Sequence, residues 1–142
     1  MIILDTNVLS ELVKREPAES VVRWLDSMPA REICTTSITA AELWFGVRRL
    51  PSGRRKVLLA AGIDDMLYRD LQGRIEPFDT VAAGHYADIV CDAMRSGRTV
   101  SAADAEIAAI CIARRAELAT RNVKDFADTG VEIINPWDFQ AD

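Results

Sequence analysis

Short, wholly apolar runs alternate along this chain with longer stretches in which apolar residues recur every three or four positions. The first run, Met1-Ile2-Ile3-Leu4, is stopped by Asp5-Thr6-Asn7 and reads as a buried strand ending in a polar turn. Two helices follow; in the second, Val21, Leu25 and Met28 fall at spacings of four and three, and Pro29 closes the segment. Ile33 to Thr35 is a second strand. Ile38 to Arg49 is helical, and Lys56 to Leu71 continues as a helix with Leu59, Ile63, Met66 and Leu67 along one face. Gly53 and a basic turn separate the two. Arg74 to Phe78 reads as a third strand, bounded by Gly73 and by Asp79-Thr80. Ala82, Tyr86, Ile89, Val90 and Ala93 form a helical stripe ended by Gly97, and Ala103, Ile107, Ile110 and Cys111 mark the next helix. Glu117 to Thr120 and Val131 to Ile134 are the remaining strands, the last stopped by Asn135-Pro136.

Strands that are apolar throughout and alternate with helices predict an α/β fold whose parallel sheet is covered on both faces. Sheets of that kind bind ligands beyond the carboxyl ends of their strands. Asp5 lies at one such end, and Asn122 just past another.

With 142 residues the chain is expected to form a single domain, residues 1–142, and 49% hydrophobic against 27% charged residues fits an ordinary globular core. No apolar run is long enough to span a bilayer, and no basic segment followed by a hydrophobic one opens the sequence, so a cytoplasmic protein without membrane association is expected. Cys34, Cys91 and Cys111 are odd in number and set among apolar neighbours; they are expected to be small core residues in a reducing compartment. The formal net charge of −5 has the wrong sign for holding nucleic acid by charge alone, so any such contact must be local. Arg48, Arg49, Arg54, Arg55 and Lys56 surround a Pro51-Ser52-Gly53 turn and could track a nucleic-acid backbone; they could equally be solvated helix ends.

A carboxylate directly after a buried strand, as at Asp5, stands at the ligand-binding edge of the sheet, although it could instead cap the helix that follows. Thr39-Ala40-Ala41-Glu42 and Ser101-Ala102-Ala103-Asp104 both match a helix capping box, which offers Glu42 and Asp104 local roles as well. Both acids are nevertheless expected in the first turn of helices that could begin at the same sheet edge as Asp5. Two carboxylates about 4 Å apart repel by roughly 4 kcal/mol at a surface-like dielectric, so a cluster of them needs a counterion. With oxygen ligands alone the suitable one is Mg²⁺, or Mn²⁺ as a substitute. His85 is the only histidine and borders an apolar stripe, which leaves a two-histidine mechanism unavailable and favours a core-edge role. Zinc-ligand groupings, glycine-rich nucleotide loops and a nucleophile elbow are all lacking. Trp24, Trp44 and Trp137 could stack bases, but packing is the commoner use.

Taken in order, Ile2-Ile3-Leu4-Asp5-Thr6-Asn7, Thr39-Ala40-Ala41-Glu42-Leu43, Ala102-Ala103-Asp104-Ala105 and Ala119-Thr120-Arg121-Asn122-Val123-Lys124-Asp125-Phe126 resemble the PIN-domain family, in particular its VapC-type toxins; Asn135-Pro136-Trp137 is similar to the FitB-like branch. The resemblance implies a three-layer α/β/α fold with a central parallel sheet of about five strands. It implies Asp5, Glu42 and Asp104 gathered around Mg²⁺ and an endoribonuclease that cuts RNA by metal-activated water, with Asp5 and Asp104 as direct ligands and Glu42 orienting or deprotonating the water. It further implies the toxin half of a type II toxin–antitoxin system: a homodimer, held by a small antitoxin with a DNA-binding domain, reaching DNA only through that complex. Many members carry a fourth acid where this chain has Asn122. Asp125 could compensate; alternatively Asn122 positions water or a carboxylate while Asp125 caps a turn. A catalytically weak binding module acting through its antitoxin in transcriptional control is the alternative, and a phosphotransfer receiver is disfavoured because no lysine follows the last strand.

Overall fold

The computed structural model describes residues 1–141. Five strands, β1 (Ile2–Leu4), β2 (Ile33–Thr36), β3 (Ile75–Glu76), β4 (Glu117–Ala119) and β5 (Ile133–Ile134), form one sheet in the order β3-β2-β1-β4-β5, with every neighbouring pair parallel. The helices are α1 (Thr6–Leu12), α2 (Glu19–Asp26), α3 (Ser37–Arg48), α4 (Arg54–Asp65), α5 (Thr80–Arg95), α6 (Ala102–Arg114) and α7 (Val123–Phe126).

Strand alternation sorts β1 between two apolar layers: Ile2 and Leu4 pack with Val8, Leu9, Val21, Trp24 and Leu43, while Ile3 packs with Ile107, Ile110, Leu118 and Phe126 on the opposite face. Helices therefore cover both faces of the sheet, the expected three-layer arrangement. α6 is buried nearly all round, with Ala105 and every residue from Ile107 to Cys111 out of contact with solvent. Its small alanines let α5 approach closely on the outer side.

The order of the strands fixes where a ligand can sit. From β1 the chain moves outward through β2 to β3 and then crosses to β4 on the other side of β1, so the direction of winding reverses between β1 and β4. Beyond the carboxyl ends of those two strands the flanking connections diverge and leave a crevice.

Several boundaries differ from the sequence reading. Only Ile75–Glu76 of the expected Arg74–Phe78 strand pairs, because β3 is an edge, Pro77 has no N–H to offer a ladder, and Glu76 and Asp79 are both taken by Arg114 at 2.9 Å. Likewise only Ile133–Ile134 of Val131–Ile134 is strand, at the opposite edge. The Lys56–Leu71 helix begins at Arg54 and gives way at Met66 to one π-helical turn, Met66–Asp70. Gln72 and Gly73, both left-handed, then turn the chain towards β3. Cys34 and Cys111 are buried as expected, and burial pushes the Cys34 thiol up to about 11, but Cys91 is exposed and is no core residue.

The capping box expected at Thr39-Ala40-Ala41-Glu42 is not formed. α3 starts one turn earlier, capped by Thr36, whose Oγ1 accepts the Thr39 N–H at 3.1 Å; Glu42 is thus in the second turn and caps nothing. Accordingly, Thr36→Val should cost about 1 kcal/mol of stability, seen as a lower urea midpoint with an unchanged slope. Glu42→Ala should stay within about 0.5 kcal/mol of the parent.

Candidate active site

Asp5 is the first residue past β1, and Thr120 the first past β4. Because Leu4 pairs with Ala119, the two following side chains arrive together at the crevice. The Asp5 N–H extends the ladder to the Ala119 carbonyl at 2.9 Å, and Thr120 does the same to Ile134. Asp5 is 4% exposed, and three donors hold its carboxylate: Oδ1 accepts from the Thr6 N–H at 2.8 Å, and Oδ2 from the Thr120 hydroxyl at 2.8 Å and the Asn7 amide at 3.1 Å, which leaves Oδ1 with an acceptor position open. The helix-capping and cavity-lining readings of Asp5 therefore both hold, since it is the N-cap of α1 and also faces the cavity.

Asn7 and Thr120 tie the surrounding loops to this carboxylate. Asn7 Nδ2 also donates to Thr120 Oγ1 at 3.1 Å, and Asn7 Oδ1 accepts the Arg121 N–H at 3.0 Å. Thr120 Oγ1 in turn accepts the Asn122 N–H at 3.0 Å. Every buried side-chain N or O atom among the described residues has a partner, so this network is complete rather than half-satisfied.

Glu42 reaches the cavity from α3, where the Thr6 hydroxyl donates to its Oε1 at 2.8 Å. Asp104 enters from the first turn of α6. Here the expected cap exists: Ser101 Oγ accepts the Asp104 N–H at 3.1 Å, which leaves the Asp104 carboxylate half-buried and turned to the cavity. Asp5, Glu42, Asp104 and Asn122 all line one cavity of about 420 Å³, together with Thr6, Asn7, Ser10, Glu11, Lys14, Arg121 and Trp137. Asp125 does not line it. That residue is exposed on α7, where its N–H closes a turn to the Asn122 carbonyl, yet its charge is near enough to act on Asp104. The Asn122 side chain caps no helix, so of the two residues it is the one presented to the cavity.

The electrostatics are those of crowded acids. Burial raises the Asp5 pKa above the ordinary carboxylate value, and the charges of Asp104 and Glu42 add to the rise; the Thr120 and Thr6 hydrogen bonds oppose it. Asp104 is raised too, first by burial and then by Asp125 and Glu42, with Ser101 opposing. As the side chains stand, no three acidic, cysteine or histidine residues among those described close into a metal-binding cluster. The donors that converge are nonetheless all oxygens, and mutually repelling carboxylates around an open cavity match a hard, partly hydrated divalent cation better than zinc or copper.

The sequence reading missed Arg121, Glu11 and Lys14 as parts of this cavity, and the buried Thr120 as the residue that holds Asp5 behind it. Lys14 and the buried Glu11 pair at 2.9 Å, and Glu11 also accepts the Ala18 N–H at 3.0 Å, which pins the α1–α2 connection beside the crevice. These hydrogen bonds, led by Lys14, hold the Glu11 carboxyl below its usual value. By contrast none of the basic run lines the acidic cavity: Arg48 sits over the Trp44 ring, Arg49 over Phe45, and Lys56 caps α3 at the Arg48 carbonyl, 3.0 Å away. Arg54 and Arg55 line a second, largely apolar groove between α1, α3 and α4 that shares Thr6, Ser10, Lys14 and Glu42 with the cavity. His85 is half-buried on α5, at the edge of the core. No helix among the described residues is long and apolar enough to cross a membrane.

Comparison with known proteins agrees with this geometry. The chain is similar to the VapC ribonuclease Y4jK of Sinorhizobium fredii, with 40% identity over 97% of this chain and 99% of the relative. It is also similar to Toxin FitB of Neisseria gonorrhoeae, with 39% identity over 96% and 99%, and it superposes on the crystal structure of FitAcB from that organism with a TM-score of 0.90 over 98% and 100%. VapBC2 from Rickettsia felis, solved bound to a DNA fragment from the promoter of its own genes, is 26% identical with a TM-score of 0.79 over 95% and 98%. The sequence pattern of the PIN domain matches residues 2–132, and with the parallel sheet and the carboxylates gathered at its edge this places the chain in the PIN-domain family.

Proposed function

We propose that this protein is the toxin of a type II toxin–antitoxin pair and acts, as a single domain, as a Mg²⁺-dependent endoribonuclease, with Mn²⁺ as a substitute. The observation that carries the reading is the convergence of Asp5, Glu42 and Asp104 from three separate elements on one cavity at the winding reversal of the sheet. The names of its relatives, a VapC ribonuclease and a toxin, support the same reading.

Asp5 and Asp104 are the residues that would hold the cation. Once bound, it would supply positive charge against the scissile phosphate and would acidify water. Asp5 has no freedom to turn, because three donors hold it, so it fixes the position of the site. Glu42 is exposed and held only by the Thr6 hydroxyl, which suits a group that must take a proton from water and release it again. Asn122 contributes an uncharged amide where a fourth acid is common, so the cavity carries one negative charge fewer. Water as nucleophile makes the RNA 2′-hydroxyl unnecessary for the chemistry, and preference for RNA then rests on binding.

The partner is a small antitoxin with a DNA-binding domain, and DNA is reached only through that complex, in keeping with the promoter-bound VapBC2 neighbour. We further propose a homodimeric toxin resident in the cytoplasm.

Purified protein freed of antitoxin should cut RNA in Mg²⁺ or Mn²⁺ and lose the activity in EDTA. Asp5→Asn should abolish cleavage, and Glu42→Gln should slow it by about 100-fold. Undiminished cutting by Asp5→Asn would sink the assignment. Binding of a divalent ion with no cleavage across a broad RNA panel would favour a binding module acting through its antitoxin.

A second prediction follows from the raised Asp104 pKa. A group whose pKa is raised by folding contributes stability that is complete below its unfolded value and is lost as pH climbs through the folded one. At neutral pH without divalent ions, Asp104→Asn should therefore melt a few degrees above the parent, with the advantage vanishing in acid, where the parent carboxyl is neutral. Adding Mg²⁺ should stabilise the parent more than the variant, because only the parent keeps the full ligand set. Calorimetric melts across pH, with and without Mg²⁺, read both effects.

A further inference from the structure

We propose that Arg121 anchors a backbone phosphate of the RNA at the rim of the acidic cavity, and that Trp137 positions it for that task. This deepens the nuclease reading and rests on it only for the identity of the polyanion. Arg121 lines the cavity that Asp5, Glu42 and Asp104 line, immediately after the Thr120 that holds Asp5. Its neighbour on the rim, Lys14, is already paired with Glu11. Arg121 is not paired: among the described residues no carboxylate lies within ion-pair distance of it, and its guanidinium donates no hydrogen bond.

The guanidinium lies against an aromatic face, while its charge also reaches the Glu11 carboxylate without an ion pair. Its Cζ lies 5.0 Å from the centre of the Trp137 ring, within cation–π range. Trp137 is itself fixed, half-buried against the apolar layer of β1 and α2 and held by a turn in which Asn135 Oδ1 accepts its N–H at 3.0 Å. The Arg121 backbone is tied through its N–H to Asn7. Both ends of the side chain are thus restrained, while its N–H donors stay open.

Arg114 spends its donors on Glu76 and Asp79; Arg48 and Arg49 share the aromatic contact and the open donors of Arg121, but of these three only Arg121 lines the acidic cavity. A restrained guanidinium with open donors matches the two-oxygen face of a phosphate, and its restraint lowers the ordering cost on binding. The need for it is electrostatic: the cavity walls are acidic and the chain carries a net −5, so an RNA strand approaching the carboxylates is repelled unless a fixed cation meets it.

The test uses the full-length protein and a short, fluorescein-labelled single-stranded RNA of mixed sequence. Its affinity is measured by anisotropy in EDTA over a range of salt, beside cleavage kinetics in Mg²⁺ or Mn²⁺. Arg121→Gln should weaken binding by about tenfold and flatten the plot of log K against log salt by about 0.7. In the cleavage assay it should raise KM far more than it lowers kcat. Arg121→Lys should restore the salt slope but not the full affinity, because a point charge replaces a fork. Trp137→Leu should weaken binding by a few fold and leave the slope intact. A thermal melt and near-UV spectrum matching the parent show that each variant is folded, and Arg121→Lys gives a second reading of the same contact. An Arg121→Gln protein with the parent's affinity, salt slope and KM would overturn the proposal while leaving the nuclease intact. Loss of RNA binding in Arg121→Gln, in a protein that cuts nothing even as wild type, would keep the anchor and sink the nuclease. A parent protein with no measurable affinity for the RNA would overturn the anchor outright.

Discussion

The Asp5 carboxylate and the three donors that hold it are the contact on which the rest of this molecule is arranged. A nearly solvent-free carboxylate at the end of a central strand is costly unless its lone pairs are filled. Thr6, Asn7 and Thr120 occupy three of its roughly four acceptor positions, each from a different place: the first residue of α1, its second residue, and the residue past β4. Because Thr120 belongs to the strand on the other side of the winding reversal, the same interaction joins the two halves of the sheet and fixes the mouth of the crevice. Arg121 and Asn122 are carried to the rim as a consequence, through the Asn7 and Thr120 bonds to their N–H groups.

The remaining acids are placed with far less constraint. Asp104 is set by a helix cap, which orients its backbone but leaves its carboxylate free to face Glu42 and the charge of Asp125. Glu42 is set by one hydroxyl. In the proposed function Asp5 would be the rigid ligand and Asp104 and Glu42 its adjustable companions, kept apart by repulsion until a cation is bound. Crowding is visible in the raised pKa of both aspartates, to which burial contributes most and the neighbouring carboxylates add.

The architecture was legible because the strands are apolar throughout and the helices carry regular stripes, so the layer order follows from burial alone. Edge strands were over-read: residues 74–78 and 131–134 have strand composition, but only pairs of residues find a partner at the margins of a sheet. Asp5 and Asp104 could be found locally, one as the stop after an apolar run and the other from a capping-box pattern of which the structure forms the Ser101 half, without the return bond to the Asp104 carboxylate. Thr120 and Arg121 could not, since their roles depend on Leu4 lying opposite Ala119, and strand register is a long-range property. Cys91 was readable in principle. It lies two residues from both Ile89 and Ala93, two of the three buried positions of α5, and so on the opposite side of a helix with 3.6 residues per turn.

The error at Glu42 has a physical cause and a consequence for the chemistry. Residues Thr35, Thr36, Ser37 and Thr39 offer several candidate caps in succession, and local sequence cannot choose among them. The choice is made by β2, which runs to Thr36 before the backbone leaves the extended region, so the helix starts there. Had Thr39 been the cap, Glu42 would have been the third residue of the helix, within reach of the Thr39 N–H, a bond that Asp104 in the same position of α6 does not make. Starting the helix one turn earlier takes Glu42 out of that position. It then projects from the second turn towards Thr6, on the helix that Asp5 caps, so the residue proposed to move a proton is held by the element that the fixed carboxylate begins.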